Sequence, residues 1–313
     1  MAVGDSVTRV RVFVTGGTGA IGGHAVPALI AAGHEVSGLA RSPAKAAVLR
    51  AHGVSPVEVS LFDAAALTDA FAGHDAVVNL ATAIPPMSKF LSSRAWAANQ
   101  RVRTEGSAAV VEAALGAGIG RLVQESVCML YADGGSRWLD EDAPTDRYPM
   151  AAGNHAAEAN ARRFADAGGT SVIARFGWFY GPGAAHSDQM LAAARRHVIL
   201  TMGAPDGYQS TIHMTDAGAA VAAALAVAGG VYNVVDDEPL TKRDFAHALA
   251  AACGRRPWVR GPGRAAGLFG EHLTSLTRSV RASNARFREA SGWAPRYPSA
   301  REGWTATAHA HSA

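Results

Sequence analysis

The sequence predicts an α/β protein in which a doubly wound parallel sheet carries a smaller C-terminal lobe. In the first half of the chain, apolar runs of strand length alternate with helical stretches, as in a parallel sheet that is covered on both faces. The first apolar run ends in a glycine-rich segment, residues 15–23, which leads into a helix. The second half is less regular, so we expect the lobe to be built from insertions into the later part of the sheet domain.

The predicted elements follow one another at short spacing. Strands are expected at residues 9–16, 34–41, 57–63, 75–82, 121–130 and 170–183, with shorter strands beginning at 210 and 230. Helices are expected at residues 24–33, 42–53, 65–73, 104–116, 151–167 and 244–253, and after the strand at 210. Glu158 is expected on the exposed side of its helix, and Gly254 is expected to cap the helix before it.

This pattern predicts a discontinuous division of the chain. We assign residues 8–182 and 210–237 to the sheet domain and residues 183–209 and 238–305 to the substrate-binding lobe. The remaining residues, 306–313, form a tail that is expected to fray.

Composition restricts the class of protein. The chain has 313 residues, of which 49% are hydrophobic and 18% are charged, so a large core is expected and disorder is not. With 29 basic against 26 acidic residues, the charge balance gives no reason to expect nucleic acid as a partner. The basic excess lies late in the chain, where it forms either a solvated surface or a lobe that holds an anionic substrate.

Cysteine content and hydropathy bear on location. The two cysteines, Cys128 and Cys253, provide neither a metal motif nor a disulfide framework. The start of the sequence shows no signal peptide, and the alanine-rich stretches are too short to span a bilayer. We therefore expect a cytoplasmic protein that binds no metal and no membrane.

The glycine-rich segment has the spacing of a dinucleotide-binding loop. Gly16 allows a tight turn, Gly19 lets the backbone approach a pyrophosphate, and Gly22 permits close packing of helix against strand. The helix that follows would direct its N-terminus at the anion, next to Ala20 and Ile21. The segment therefore predicts a Rossmann-type domain.

The end of the second predicted strand favours NADP over NAD. An acidic residue there would hydrogen-bond a ribose 2′-hydroxyl, but the sequence places Arg41 and Ser42 at this point. A guanidinium suits a 2′-phosphate. NAD stays possible, because Arg41 could instead lie in solvent or stack on adenine.

Two later strand ends extend the nucleotide site. Asp63 is expected to end the third strand, where its carboxylate could accept a hydrogen bond from the adenine amino group. Leu80 and Ala81 follow the fourth strand and are expected to line the nucleotide.

Several motifs together resemble those of the extended short-chain dehydrogenase/reductase family, of the NAD-dependent epimerase/dehydratase type. They are "VTGGTGAIG" at the start, "LYA" at residues 130–132, "RFGWFYGPG" at 175–183, "IHMTDAGAAV" at 212–221 and "VYNVVDDEPLT" at 231–241. The resemblance runs through most of the chain. It implies a nicotinamide cofactor and a small-molecule substrate. It also implies a possible homodimer through the helices at 104–116 and 151–167.

The chain departs from this family at the residues that transfer a proton. Such enzymes are known for a Ser or Thr, a Tyr and a Lys, with the last two placed four apart so that they share a helix face. In register with Tyr131 and Glu158, these positions are Val127, Met150 and Asn154. The resemblance therefore predicts an atypical member with a degenerate triad.

Other residues near these positions are candidates for the missing acid. They are Ser126, Cys128, Tyr131, Tyr148 and His155. Asn154 could still bond a ribose hydroxyl of the cofactor. Apolar side chains that could line a substrate pocket, or simply pack in the core, are Met129, Trp138, Met150, Trp178 and Tyr180.

Three functions are consistent with these residues. The first is an NADP(H)-dependent oxidoreductase that acts on a small metabolite with a non-standard proton donor. The second is a cyclase, isomerase or lyase without net redox chemistry, and the third is a regulator that senses NADP without turnover. The substrate could be anionic or apolar.

Overall fold

The computed structural model describes residues 9–90, 92–256, 259–265 and 273–311. The predicted start of the sheet domain at residue 8 and the last two residues of the tail lie outside this part of the chain. The strands are β1 Arg11–Thr15, β2 Glu35–Ala40, β3 Ser55–Glu58, β4 Ala76–Asn79, β5 Arg121–Val127, β6 Trp138–Leu139, β7 Thr170–Phe176, β8 Trp178–Tyr180, β9 Val198–Met202, β10 Tyr208–Gln209, β11 Thr211–His213, β12 Gly230–Val234, β13 Leu240–Thr241, β14 Val259–Gly263 and β15 Arg281–Ala282.

The helices are as follows in chain order. They are α1 Gly22–Ala31, α2 Pro43–Ala51, α3 Ala64–Phe71, α4 Ser93–Arg101, α5 Ser107–Gly116, α6 Ala152–Asp166, α7 Ala185–Arg195, α8 Met214–Ala223, α9 Lys242–Ala252, α10 Thr274–Thr277, α11 Ala285–Ser291 and α12 Ala300–Ala310. A π-helical segment, Val102–Gly106, joins α4 to α5, and 3₁₀ turns lie at Met87–Lys89, Cys128–Leu130 and Pro149–Ala151.

Seven parallel strands form the central sheet, in the order β12-β7-β5-β4-β1-β2-β3. Strand β1 lies between β2 and β4, so the direction of winding reverses at this point. In sheets of this kind a crevice for ligands opens at the carboxyl ends of the strands beside the reversal. The observed sheet confirms the predicted fold class.

The two faces of the sheet are covered by different helices. Val12 and Val14 of β1 belong to the core cluster under α1, α2 and α8, whereas Phe13 belongs to the cluster under α3, α5 and α6. Successive side chains of a strand point to opposite faces, which explains why the three central residues of β1 are all apolar. Within the described residues, no helix is long and apolar enough to cross a membrane.

The later part of the chain adds a lobe with its own core. Helices α7, α9 and α12 pack around buried Leu191, Phe245 and Trp304, beside the short strand pairs β9 with β14 and β10 with β13. The capping prediction for α9 is confirmed, because Gly254 follows the helix with a φ of 61°.

Two expectations about element ends are wrong. Strand β3 ends at Glu58 and not at Asp63, because Asp63 begins α3 instead: its Oδ1 accepts a hydrogen bond from Ala66 N at 3.0 Å. Residues 306–310 of the tail do not fray, because α12 continues to Ala310 and Thr307 within it is completely buried.

Candidate active site

The glycine-rich loop forms a tight turn against the end of β4. Gly16 has a φ of 72°, and a Cβ there would lie 2.6 Å from the carbonyl oxygen of Leu80. A Cβ on Gly22 would lie 2.3 Å from the carbonyl oxygen of Gly16. Larger side chains are therefore excluded at both positions. The loop leads the backbone into α1 in the shape that a pyrophosphate needs.

This loop forms one end of a large cleft of about 1020 Å³. The predicted cofactor residues Gly16, Gly19, Ala20, Ile21, Leu80 and Ala81 all line it. Behind them, a buried chain of hydrogen bonds ties the ends of β1 and β4 to the middle of β5. Thr15 Oγ1 donates to Asn79 Oδ1 at 2.5 Å, and Asn79 Nδ2 donates to Gln124 Oε1 at 2.8 Å.

The end of the cleft beside β2 and β3, where the sequence predicts the adenosine of a cofactor, is basic, with one carboxylate. Arg41 and Lys45 line it, and so does the exposed Glu58. Lys45 was not identified from the sequence, although it lies one helical turn after Arg41. Ser42 does not line the cleft; it caps α2 by accepting a hydrogen bond from Lys45 N at 3.4 Å. Asp63, as the cap of α3, does not reach the cleft either.

The three positions that the resemblance predicts for the triad all line the same cleft. Val127 ends β5, Met150 lies in the 3₁₀ turn before α6, and Asn154 lies in the first turn of α6. Asn154 is 6% exposed, and its Nδ2 has no hydrogen-bond partner among the described residues. The register inferred from the sequence thus places these side chains in one site. Among the three, Asn154 is the one that can donate a hydrogen bond.

Glu158 is buried, at 1% exposure, and the expectation that it lies on the exposed side of its helix is wrong. Its carboxylate accepts two hydrogen bonds from Arg175 at 2.8 Å, one from Ser126 Oγ at 2.7 Å and one from the half-exposed Arg162 at 2.8 Å. Burial raises the pKa of Glu158, but the contacts with Arg175 and Ser126 hold it below the ordinary value overall. Ser126 is fully buried in this network and does not line the cleft.

Two further candidate acids also point away from the cleft. Tyr131 is fully buried, and its hydroxyl donates to Asn233 Oδ1 at 2.7 Å. Burial raises the pKa of Tyr131 far above its ordinary value. His155 Nε2 donates to the carbonyl oxygen of Asp146 at 2.9 Å, on the outer side of α6. Ser126, Tyr131 and His155 therefore do not line the cleft in this structure.

Tyr148 is the candidate that remains in the cleft. It lines the wall, and its hydroxyl donates to the carbonyl oxygen of Met129 at 2.9 Å. Burial raises its pKa to about 12, against the opposing effect of Arg278. A phenol with so high a pKa is a weak proton donor near neutral pH.

The predicted substrate residues divide into two groups. Met129, Met150 and Trp178 line the cleft. Trp138 does not, because it is 51% exposed beneath the guanidinium of Arg281. Tyr180 does not, because it is fully buried in the lobe core, where its hydroxyl donates to Ser299 O at 3.3 Å.

A buried ion pair in the cleft wall was missed from the sequence. Arg103 and Glu125 are 4% and 2% exposed, and Arg103 Nη1 lies 2.7 Å from Glu125 Oε2. Arg103 belongs to the π-helical segment, a type of helix that is rare and frequent at functional sites. Glu125 could have indicated this pair in the sequence, because it is a charged residue within a predicted buried strand.

The apolar part of the cleft has an aromatic wall. Phe90 and Trp96 pack edge to face, with ring centroids 4.9 Å apart, and both line the cleft near Met150. Across from them, His186 and Gln189 of α7 contribute polar groups from the lobe. Within the described residues, no group of His, Cys, Asp or Glu side chains is placed to hold a metal ion.

Comparison with known proteins matches this architecture. The model of the NAD dependent epimerase/dehydratase family matches residues 12–234. The 3-diazoavenalumate denitrifying reductase of a Streptomyces species is 35% identical over 309 residues, 94% of this chain and 98% of the relative. The 4-hydroxy-2-methyl-3-oxo-4-farnesyl-3,4-dihydroquinoline-1-oxide ketoreductase of Stigmatella aurantiaca is 30% identical over 278 residues, 84% of this chain and 80% of the relative.

Solved structures show the same fold. The human epimerase family protein SDR39U1, solved with NADPH, has a TM-score of 0.78 and 24% identity, covering 96% of this chain and 99% of that chain. Others with similar scores were solved with NAD. The chain therefore belongs to the NAD dependent epimerase/dehydratase family, and it is an enzyme of the oxidoreductase or isomerase type.

Proposed function

We propose that this chain is an NADPH-dependent reductase of a small, largely apolar substrate, and that its substrate accepts a hydride without taking up a proton. The observation that carries the proposal is the set of side chains that line the cleft. The three positions that would transfer a proton are Val127, Met150 and Asn154, and none of these side chains titrates near neutral pH.

The residues present fit a nicotinamide dinucleotide. The glycine turn leaves room for a pyrophosphate, and the unpartnered Nδ2 of buried Asn154 can donate to a ribose hydroxyl. Arg41 and Lys45 offer two cations at the adenosine end, which favours a 2′-phosphate. When bound, the cofactor would supply a hydride at its nicotinamide ring.

The choice of NADPH also rests on charge. Glu58 is the carboxylate at the adenosine end, but it is exposed and stands beside two cations. A carboxylate that selects a 2′-hydroxyl lies at the end of the second strand, and that place is taken by Arg41.

The name of the Streptomyces relative describes a reaction that suits such a site. When the diazo group is present as a diazonium cation, its reduction replaces dinitrogen with hydride, R–N₂⁺ + H⁻ → R–H + N₂, and takes up no proton. Reduction of a ketone, in contrast, needs a hydride and a proton. A cleft whose proton-transfer positions hold Val127 and Met150 is sufficient for the first reaction.

A second candidate function keeps a proton donor. Tyr148 lines the cleft and carries a hydroxyl, and the Stigmatella relative is named a ketoreductase. In that case Tyr148 would have to leave the carbonyl oxygen of Met129 to reach a substrate. Its raised pKa makes it a poor acid, so we place this function second.

Isotope transfer separates the two candidates. We would incubate the enzyme with 4-carboxybenzenediazonium and NADPH deuterated at the hydride position, and analyse the benzoate formed by mass spectrometry. The proposal expects one deuterium per benzoate in H₂O, none when unlabelled NADPH is used in D₂O, and no such transfer without protein.

Two other outcomes would contradict the proposal. Activity on ketones but not on the diazonium probe would establish the second candidate. Substrate conversion without any NADPH consumption would favour the isomerase type and would exclude both reductases.

A further inference from the structure

Lys242 is a buried ammonium group without an ion-pair partner in the described part of the chain. It is 2% exposed, and its Nζ donates a hydrogen bond to the carbonyl oxygen of Leu276 at 2.6 Å. An ammonium group has three donors, and two of them have no hydrogen-bond partner among the described residues. Burial without a counter-ion is costly.

The position of Lys242 in its helix adds to this cost. It is the first residue of α9, where the helix dipole is positive and favours anions over cations. Asp244 in the same turn is engaged by Thr241, whose Oγ1 lies 2.7 Å from Asp244 Oδ2. Both the side chain and the helix end therefore favour a negative charge at this place.

Lys242 lines a side chamber of about 30 Å³ next to the cleft. Four residues, Met129, Trp178, Ser275 and Leu276, line both spaces, so the chamber adjoins the apolar part of the cleft. A water-sized group needs about 10–15 Å³ of such space. The chamber thus has room for two, as many as the oxygens of a carboxylate.

The other charged groups that the structure describes beside the chamber, Arg278 and Asp133, have partners of their own. Arg278 lines the chamber, but it forms an ion pair with Asp146 and donates to Tyr131 O. Asp133 acts on Lys242 electrostatically from the exposed surface, and its two oxygens accept hydrogen bonds from backbone N–H groups. Among the described residues, Lys242 is therefore the cation of the chamber wall that has no ion-pair partner in contact with it.

We propose that this side chamber binds a carboxylate of the substrate, with the Lys242 ammonium as its counter-ion. The apolar body of the substrate would then lie between Met129 and Trp178, in the cleft. This subsite rests on the proposed function, because it extends the substrate cleft of that reductase. It narrows the substrate class to small aromatic or unsaturated carboxylic acids.

Binding of a matched pair of probes tests the subsite without turnover. We would measure the affinity of trans-cinnamate and of cinnamamide for the NADP⁺-loaded enzyme by calorimetry. The two probes have the same shape and differ in charge. We expect cinnamate to bind at least tenfold more tightly, because a hydrogen bond to a charged group contributes about that factor.

Variants assign the preference to Lys242. Lys242→Met should reduce the ratio of the two affinities to about one, and Lys242→Arg should retain most of it. Lys89→Met is the matched control, because Lys89 is exposed and outside the cleft, and it should keep the full ratio.

Measuring the affinities of both probes for the wild-type enzyme at several pH values tests the subsite even if the variants do not fold. Burial lowers the pKa of Lys242 to about 8, so the ammonium loses its proton above that pH. Cinnamate affinity should fall between pH 7 and pH 10, and cinnamamide affinity should not.

Three results would overturn the subsite. They are equal affinities of the two probes for the wild type, a preference that survives Lys242→Met, and a preference that does not change with pH. Loss of the diazonium reaction alongside an intact carboxylate preference would refute the reaction and leave the subsite standing.

Discussion

Replacing Glu158 with glutamine should destabilise the protein strongly. The substitution keeps the shape of the side chain but removes its charge and turns one acceptor into a donor that faces Arg175. Arg175 has a side chain that is 5% exposed and would be left as a buried cation. Breaking a buried pair in this way costs about 3–5 kcal/mol.

The same magnitude can be expressed as a melting temperature. Unfolding entropy is about 2.1 cal/mol/K per residue, which gives about 0.66 kcal/mol/K for 313 residues. Glu158→Gln should therefore lower Tm by about 5–8 °C, measured by calorimetry or circular dichroism. The value applies to reversible unfolding.

A matched control separates burial from charge. Glu105→Gln removes the same charge from an exposed pair with Arg101, whose side chains are 57% and 60% exposed. Exposed pairs of this type are worth about 0.3–0.5 kcal/mol, so Tm should change by less than about 1 °C. If both variants melt within a degree of the wild type, the Glu158 network does not stabilise the fold as argued.

Three further predictions follow from the site. Arg41→Ala should weaken the binding of NADP at least tenfold and change the binding of NAD little, both measured by calorimetry. The control Arg50→Ala, at an exposed position, should change neither affinity, and equal losses for both cofactors would refute the role of Arg41. Tyr148→Phe should change kcat for the diazonium probe by less than about threefold, whereas loss of a general acid costs about 10²–10⁴-fold. Burial lowers the pKa of His213 to about 4, against about 6.5 in an unfolded chain, so the unfolded state binds more protons between these values. Stability should fall as the pH drops from about 6.5 to about 4, and denaturant titrations of His213→Gln should show a shallower fall; an unchanged slope would contradict the assignment.

The sheet and its glycine loop could be predicted because their signals are local. Gly16 and Gly22 are required by contacts within the loop and with the next strand end, and the spacing alone carries that information. The register of Val127, Met150 and Asn154 came from the resemblance to the family, anchored on Tyr131 and Glu158. The side chains at these three positions line one cleft.

Partners that are distant in sequence could not be predicted in this way. Glu158 looked exposed because the helix pattern does not reveal Arg175, which β7 places beneath it. Arg103 and Glu125 are 22 residues apart and meet through the packing of the π-helical segment on β5. Lys242 gave no signal, since its burial depends on the segment that contains Leu276.

Two other errors, on the tail and on Asp63, could have been avoided, because the sequence contains short-range signals for both. Ser299 and Glu302 form a capping box, with the hydroxyl and carboxylate bonds both present. This S-x-x-E spacing marks a helix start, which would have indicated that the tail is helical. Asp63 precedes a helical pattern and could have been recognised as an N-cap in the same way.

The Arg103–Glu125 pair also limits which side chains position 154 can accept. A lysine at position 154 would add a second cation to the cleft wall that holds Arg103, and like charges in one buried site repel. Removing Arg103 in addition would leave Glu125 as an unpaired buried anion, which is costly. A cation at position 154 would therefore be tolerated only with coordinated changes at Arg103 and Glu125.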